Sequence, residues 1–157
     1  VFFTQQEALA LAFPDAEQVE PRSWVLTDEQ ARRIEELSRA HVDSKLVRVW
    51  RGRKGDATLG WAFIEVRTVR TQAAAFMVVL TPEGSVRTVR MLAFHEPLDY
   101  LPTDGWYAQF EHKTQGEPLR VGDDIHGIAG ATLSSQATTE GVRRVLAMFQ
   151  VLLASGH

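Results

Sequence analysis

The chain of 157 residues contains no cysteine. Disulfide bonds, thiolate metal sites, iron–sulfur clusters and covalently attached c-type haem are therefore excluded within it. It also lacks an apolar run near the ~20 residues that span a bilayer, because the longest, 73–80, has the length of a strand. A net charge of -3 argues against a general nucleic-acid surface. The expected class is a soluble globular protein without a membrane span or a nucleic-acid partner.

Several sequence motifs of enzymes are also missing. There is no Gly-x-Ser-x-Gly of hydrolases, no Gly-x-Gly-x-x-Gly of dinucleotide-binding proteins and no His-Glu-x-x-His of zinc proteases. The five histidines are scattered and form no pair at the spacing of metal ligands. A hydrolase, an independent NAD site and a metal site are therefore not expected.

The length predicts one domain over residues 1–157, large enough to bury roughly two thirds of its unfolded surface. The first residue is Val1 rather than methionine. We therefore expect that an N-terminal segment, such as a signal peptide or a membrane anchor, was removed or lies outside this sequence.

Two N-terminal stretches have the pattern of helix starts. In Thr4–Glu7 and in Thr27–Gln30, a threonine is followed three residues later by Glu or Gln, which is the capping box. Pro14 ends the first predicted helix, and the second extends to about Ala40. We expect a polar loop up to Trp24 between them, so that both helices precede the first strand.

The middle of the chain has the pattern of antiparallel strands. Runs 46–51 and 59–69 flank the turn residues Lys54-Gly55-Asp56, which predicts a hairpin. Residues 74–80 are apolar on both faces, which indicates a central strand, and 85–94 form the next strand. The prediction is a meander of about four antiparallel strands.

Two more helices follow the predicted sheet. A short one runs from a cap at Thr103–Trp106 through Phe110, and its Trp106 and Phe110 share one face, which favours core packing. A long amphipathic helix spans about 135–154. The predicted fold class is α+β, with an antiparallel sheet of about four or more strands, two N-terminal helices and a long C-terminal helix packed on it.

The stretch Asp123–Ser135 is the best candidate for chemistry. Its centre consists of small residues, so a bulky ligand can approach the backbone. Thr132, Ser134 and Ser135 then place three hydroxyl groups where the long helix begins, and helix N-termini bind anions. A phosphate fits this pattern, although an ordinary capped helix has the same residue types.

The run Gly130-Ala131-Thr132-Leu133-Ser134-Ser135 resembles the Ser/Thr-Gly-Ala-Thr-x-Ser/Thr motif of the FMN-binding domain family. That family includes the C subunit of the sodium-pumping NADH:quinone reductase and the G subunit of the Rnf complex. The resemblance implies that Thr132 carries FMN through a phosphoester bond and that the rest of this run frames the flavin. It also implies a flavin transferase, which moves FMN from FAD onto the threonine.

Other stretches are similar to the same family. The resemblance places Glu96 and Leu98, after the last predicted strand, near the flavin, although Glu96 also suits an exposed loop. Residues 106–113 resemble the motif Phe/Trp-x-x-Gln-Phe-x-Gly-Lys, with His112 at the usual glycine. The final Lys113 can face the phosphate or be solvated, and we favour the solvated position.

Two residues depart from the family pattern. Ala129 replaces the first Ser or Thr of the motif, and His126 stands where members with covalent FMN have an aspartate. Asp124, two residues earlier, either substitutes for that aspartate or is a structural loop acid. His126 either forms a hydrogen bond to the flavin or supports the loop.

The resemblance implies a redox carrier rather than a self-sufficient enzyme. Its FMN, covalent on Thr132 or non-covalent, would relay electrons in or beside a membrane redox complex, on the extracytoplasmic side. Two alternatives are a sensory or regulatory domain that binds FMN reversibly and an interaction domain whose flavin site has decayed. The sequence does not determine the electron donor, the acceptor or the oligomeric state.

Overall fold

The computed structural model of the chain describes residues 4–69, 72–94, 104–128 and 132–154, without the side chains of 67–69, 72–74, 93, 94, 104 and 132. The helices of the described part are α1 (Gln5–Ala12), α2 (Asp28–Ser38), α3 (Asp104–Tyr107) and α4 (Thr132–Leu152). The strands are β1 (Gln18–Val25), β2 (Leu46–Lys54), β3 (Ala57–Val69), β4 (Gln72–Leu80) and β5 (Val86–Phe94). A 3-10 turn, Ala108–Phe110, continues from α3.

The five strands form one antiparallel sheet in chain order, β1-β2-β3-β4-β5, so the predicted meander and the α+β class are confirmed. The predicted hairpin is also confirmed, since β2 pairs with β3 in the register Arg48 opposite Ile64. Strand β4 pairs on both sides, as its continuous apolar sequence predicts.

The first strand of the sheet was not predicted, because residues 18–25 form β1 rather than a polar loop. Thus the prediction that both N-terminal helices precede the first strand is wrong. Strand β1 pairs only with β2 and is mostly exposed, so it has no alternating apolar pattern. Its Pro21, which has no N–H to donate, is tolerated because β1 is an edge strand.

Both capping boxes are present. Thr4 and Glu7 at α1, and Thr27 and Gln30 at α2, exchange the expected side-chain to backbone hydrogen bonds. Helix α2 ends at Ser38, slightly earlier than predicted, because Arg39 adopts a left-handed conformation with φ of 55°.

The sheet separates two hydrophobic cores, because alternate residues of a strand face opposite sides. On one side, Phe63 and Val78 pack with α2 and α4 in the larger core. On the other side, Ala62 and Met77 pack with α1. The two N-terminal helices therefore lie on opposite faces of the sheet.

Helix α4 begins at Thr132, three residues before its predicted start, and packs against α2 and β3. Its period predicted the buried face correctly, and the buried apolar side chains include Val142, Val145, Leu146, Phe149 and Leu152. Because α4 is anchored along this face, the position of its N-terminus is set by the core.

Candidate functional site

The first turn of α4 combines an exposed apolar side chain with buried hydroxyl groups. The first N–H groups of a helix have no carbonyl partner one turn earlier, and the dipole of this 21-residue helix favours negative charge there. Ser134 and Ser135 are 2% and 0% exposed, whereas Leu133 is 50% exposed. The turn can therefore offer donors to an anion and an apolar surface to an attached ring.

The Ser134 hydroxyl is buried and has no hydrogen-bond partner in the part of the chain that the structure describes. Leaving such a group unpaired costs about 1–3 kcal/mol, and native proteins seldom do so. By contrast, Thr139 of the same helix donates from its hydroxyl to the carbonyl of Ser135 at 2.7 Å. A ligand oxygen at the start of α4 would give Ser134 the partner that it lacks.

Asp124 organises the turn that precedes the motif. Its carboxylate accepts hydrogen bonds from the backbone N–H of Arg120 at 2.9 Å and of Leu119 at 3.0 Å, and from Lys113 Nζ at 3.2 Å. Burial raises the pKa of the Asp124 carboxyl, but these hydrogen bonds outweigh burial and hold the pKa below its ordinary value. Both carboxylate oxygens are engaged within the protein, which is the role of a structural loop acid.

The favoured solvated position for Lys113 is wrong. Its side chain is 20% exposed, and its ammonium group lies 3.2 Å from Asp124 and 3.6 Å from Glu117. The preceding His112 has φ of 72°, a conformation that favours glycine. This backbone geometry accounts for the glycine that is usual at this position of the family motif.

His126 is held by its main chain rather than by its side chain. The carbonyl of His126 accepts hydrogen bonds from the indole N–H of Trp106 and from Gln109 Nε2, the latter at 3.3 Å. The backbone N–H of His126 donates to Gln109 Oε1 at 2.8 Å. The imidazole is exposed, and within the described residues no hydrogen bond of its ring is found. The main chain of His126 therefore supports the loop, and a hydrogen bond from its side chain to the flavin stays a prediction.

The aromatic residues before this loop form part of the core, as predicted. Trp106 and Phe110 are 7% and 0% exposed, and their rings meet edge to face at 5.2 Å. The contact of Trp106 and Gln109 with His126 was not predicted, because sequence spacing does not show which loop a polar group reaches. The glutamine of the resembling motif was the available signal.

Some predicted site residues lie outside the described residues. These are Glu96, Leu98, Ala129, Gly130, Ala131 and the side chain of Thr132. The described part of the site therefore consists of the α4 backbone at Thr132, residues 133–135 and the loop up to Ile128.

An open cleft of about 280 Å³ runs along α4 beyond this turn, lined by Arg120, Val121, Gln136, Thr139, Glu140 and Arg143. Arg143 lines this cleft and donates to the carbonyls of Ser38 and Leu119, each at 2.8 Å. These hydrogen bonds connect α4 to the end of α2 and to the loop 119–125.

Within the described ranges, no group of three or more His, Asp or Glu side chains is arranged to hold a metal ion. Among the helices of those same ranges, none combines the length and the hydropathy that crossing a membrane requires.

The family model of the FMN-binding domain matches residues 72–147 of the chain. No curated protein sequence matches the chain. The matched region extends from β4 into α4 and includes Gln109, Lys113, Asp124 and the motif at Thr132. It excludes β1–β3, so the single domain over residues 1–157 stays a prediction. Residues 72–147 therefore match the FMN-binding domain family, and this match supports a flavin-binding role for that region.

Proposed function

We propose that the chain is an electron-transfer domain that carries one FMN, attached by a phosphoester bond to Thr132. Leu133 would contact the flavin, and Ser134 and Ser135 would lie beside its phosphate. FMN supplies one- and two-electron redox chemistry when bound, and the protein orients its ring. The domain would then pass electrons between partners without binding an organic substrate.

The buried hydroxyl of Ser134, which has no hydrogen-bond partner within the described ranges, is the observation that carries this proposal. A phosphoester on Thr132 would place phosphate oxygens two residues away along the chain, at a helix terminus suited to anions. Because phosphate oxygens accept hydrogen bonds, they complement both the Ser134 O–H and the free N–H groups of the first turn.

A covalent bond has a physical advantage here. Helix-end electrostatics contribute about 0.3–1 kcal/mol per charge at exposed sites and up to roughly 2 kcal/mol in favourable geometry. Such energies do not retain a cofactor at low flavin concentration. In the transfer from FAD, the Thr132 oxygen would form the new bond to phosphorus, AMP would leave and the hydroxyl proton would be released. A flavin transferase would supply the catalytic groups for this step.

The cellular setting is proposed from the family resemblance alone. We infer a place in or beside a membrane redox complex, on the extracytoplasmic side, with a flavin transferase and redox proteins as partners. The donor and the acceptor would then be proteins of that complex.

Thr132→Ala tests the proposal. Both the wild-type chain and the variant are produced together with a flavin transferase, and their intact mass and absorption spectra are measured. We expect wild type to carry the mass and the yellow colour of one FMN after denaturation, and Thr132→Ala to carry neither covalently. The matched control is Thr139→Ala on the same helix, whose hydroxyl bonds internally and whose loss should leave the flavin in place.

Other outcomes select an alternative. Free FMN released on denaturation would refute the covalent bond and favour a sensory domain that binds flavin reversibly. A colourless wild-type chain with the mass of the bare sequence would refute the proposal and favour an interaction domain with a decayed site.

A further inference from the structure

The side-chain amide of Gln109 clamps the main chain just before the flavin motif. Its Oε1 accepts the N–H of His126 at 2.8 Å, and its Nε2 donates to the carbonyl of the same residue at 3.3 Å. An amide can satisfy both groups of one peptide residue because it carries a donor and an acceptor side by side. A carboxylate lacks the donor, and an apolar side chain lacks both.

The clamp is attached to a rigid support. Gln109 lies in the 3-10 turn. In the sequence it stands between Trp106 and Phe110, whose side chains are buried. The end of this segment pairs with β5, because the N–H of His112 donates to the carbonyl of Val86 and the N–H of Val86 donates to the carbonyl of Lys113, each at 2.8 Å. Trp106 adds its indole hydrogen bond to the His126 carbonyl. These contacts therefore fix the position of His126 relative to the sheet.

His126 stands six residues before Thr132 in the sequence. Ile125, directly before it, is fully buried. The chain is therefore fixed at Ile125 by packing and at His126 by the hydrogen bonds from Gln109. Beyond Thr132 the chain is fixed by α4. The backbone leading to the acceptor threonine is thus restrained at both ends by described contacts.

We propose that Gln109 is a positioning residue for flavin loading: by fixing the main chain of His126, it holds the approach to Thr132 in the conformation that receives FMN. This inference rests on the proposed function, and it concerns neither the bound ring nor the phosphate directly.

The test compares Gln109→Leu, which has a similar volume but no polar group, with Gln109→Glu, which keeps only the acceptor. The control is Gln115→Leu, a half-buried glutamine that makes one 3.5 Å hydrogen bond to the carbonyl of Leu37. Two readouts are taken on the full chain: hydrogen exchange of the His126 amide without flavin, and the initial rate of FMN incorporation from FAD by a flavin transferase.

We expect Gln109→Leu to speed exchange of the His126 amide and to slow FMN incorporation, each by about tenfold, which corresponds to the loss of one or two net hydrogen bonds. Gln109→Glu should fall between it and wild type, and Gln115→Leu should match wild type in both readouts. An unchanged thermal midpoint of the main unfolding transition would show that the core is intact.

Two results would overturn the inference in different ways. If wild type incorporates FMN and Gln109→Leu does so at the same rate, the positioning role fails while the proposed function stands. If wild type incorporates none, the proposed function fails and this inference fails with it. Faster exchange at His126 with unchanged loading would likewise reduce Gln109 to a structural contact.

Discussion

Three oxygen-bearing side chains near the start of α4 differ in how their hydrogen bonds are satisfied. The Asp124 carboxylate accepts three hydrogen bonds from within the protein, and Thr139 donates to its own helix. Ser134 is as buried as Thr139 but has no partner among the described residues. Of these three side chains, Ser134 is therefore the one that would gain a hydrogen-bond partner if a phosphate binds.

Ser134→Ala should separate the two states of the protein. Without flavin, we expect the free energy of unfolding to stay the same or to rise by up to about 1 kcal/mol, because an unpaired buried hydroxyl is removed. With FMN attached, the same change should lower the free energy of unfolding by about 1–3 kcal/mol, because a hydrogen bond to a charged phosphate is lost. Urea denaturation of both forms measures these differences.

A large loss of stability in the flavin-free Ser134→Ala protein would contradict this prediction. It would mean that the hydroxyl already has a partner within the protein. Ser44→Ala, which removes the hydrogen bond to the N–H of Leu46 at 3.2 Å, shows what the loss of a partnered serine does in the same chain.

At the scale of elements, the loop 119–125 depends on one carboxylate. It contains Leu119 and Gly122 at positive φ, with values of 46° and 91°, so its backbone has an irregular path. Asp124 compensates by accepting two backbone N–H groups of this loop and by pairing with Lys113. The loop therefore has a conformation that depends on the charge of Asp124.

Asp124→Asn should reduce stability in a pH-dependent way. Because the folded pKa of Asp124 is lowered, its contribution is fully present above the ordinary aspartate pKa and is lost as the pH falls below it toward the lowered value. We expect a deficit of about 1–3 kcal/mol at pH 7, since asparagine keeps one acceptor and no charge. The deficit should begin to shrink below pH ~4, where the unfolded wild-type chain takes up a proton at Asp124, and it should be lost once the folded carboxyl is protonated as well.

Urea denaturation of both proteins between pH 3 and pH 7 checks this expectation. A constant difference across that range would show that the shape of the side chain, and not its ionised state, supports the loop.

At the scale of the whole molecule, a buried ion pair joins the sheet to the helix layer. Arg144 of α4 donates from Nε and from a terminal nitrogen to Glu65 Oε1 of β3, at 2.8 Å and 2.6 Å. It also donates to the carbonyl of His41 at 2.8 Å, in the segment between α2 and β2. The side chains of Arg144 and Glu65 are only 3% and 11% exposed, so this ion pair is largely withdrawn from solvent.

Arg144→Met should lower the free energy of unfolding by about 3–5 kcal/mol, because it removes a buried cation that donates two hydrogen bonds to the carboxylate of Glu65. The double variant Glu65→Leu with Arg144→Met should recover most of this loss, since both charges are then replaced by apolar groups. A double-mutant cycle in urea measures the coupling. Additive losses would show that the two side chains do not stabilise each other.

Several features of this molecule follow from the sequence by itself, because they depend on local interactions. Capping boxes act within one turn, so the starts of α1 and α2 were predictable at Thr4 and Thr27. Strand and helix periods report which face is buried, so β2–β5 and the buried face of α4 were predictable too. The Gly-Ala-Thr motif indicated the FMN-binding domain family, which the match over residues 72–147 confirms.

Other features were decided by tertiary structure, because they depend on contacts between residues distant in sequence. Strand β1 exists because β2 offers it a partner, and the apolar signal of a buried strand is absent from it. The engaged ammonium of Lys113 and the clamp of Gln109 on His126 require loops to meet that sequence spacing does not bring together. Local patterns thus determined the elements and the family, whereas packing determined which polar groups are satisfied and left the Ser134 hydroxyl without a partner among the described residues.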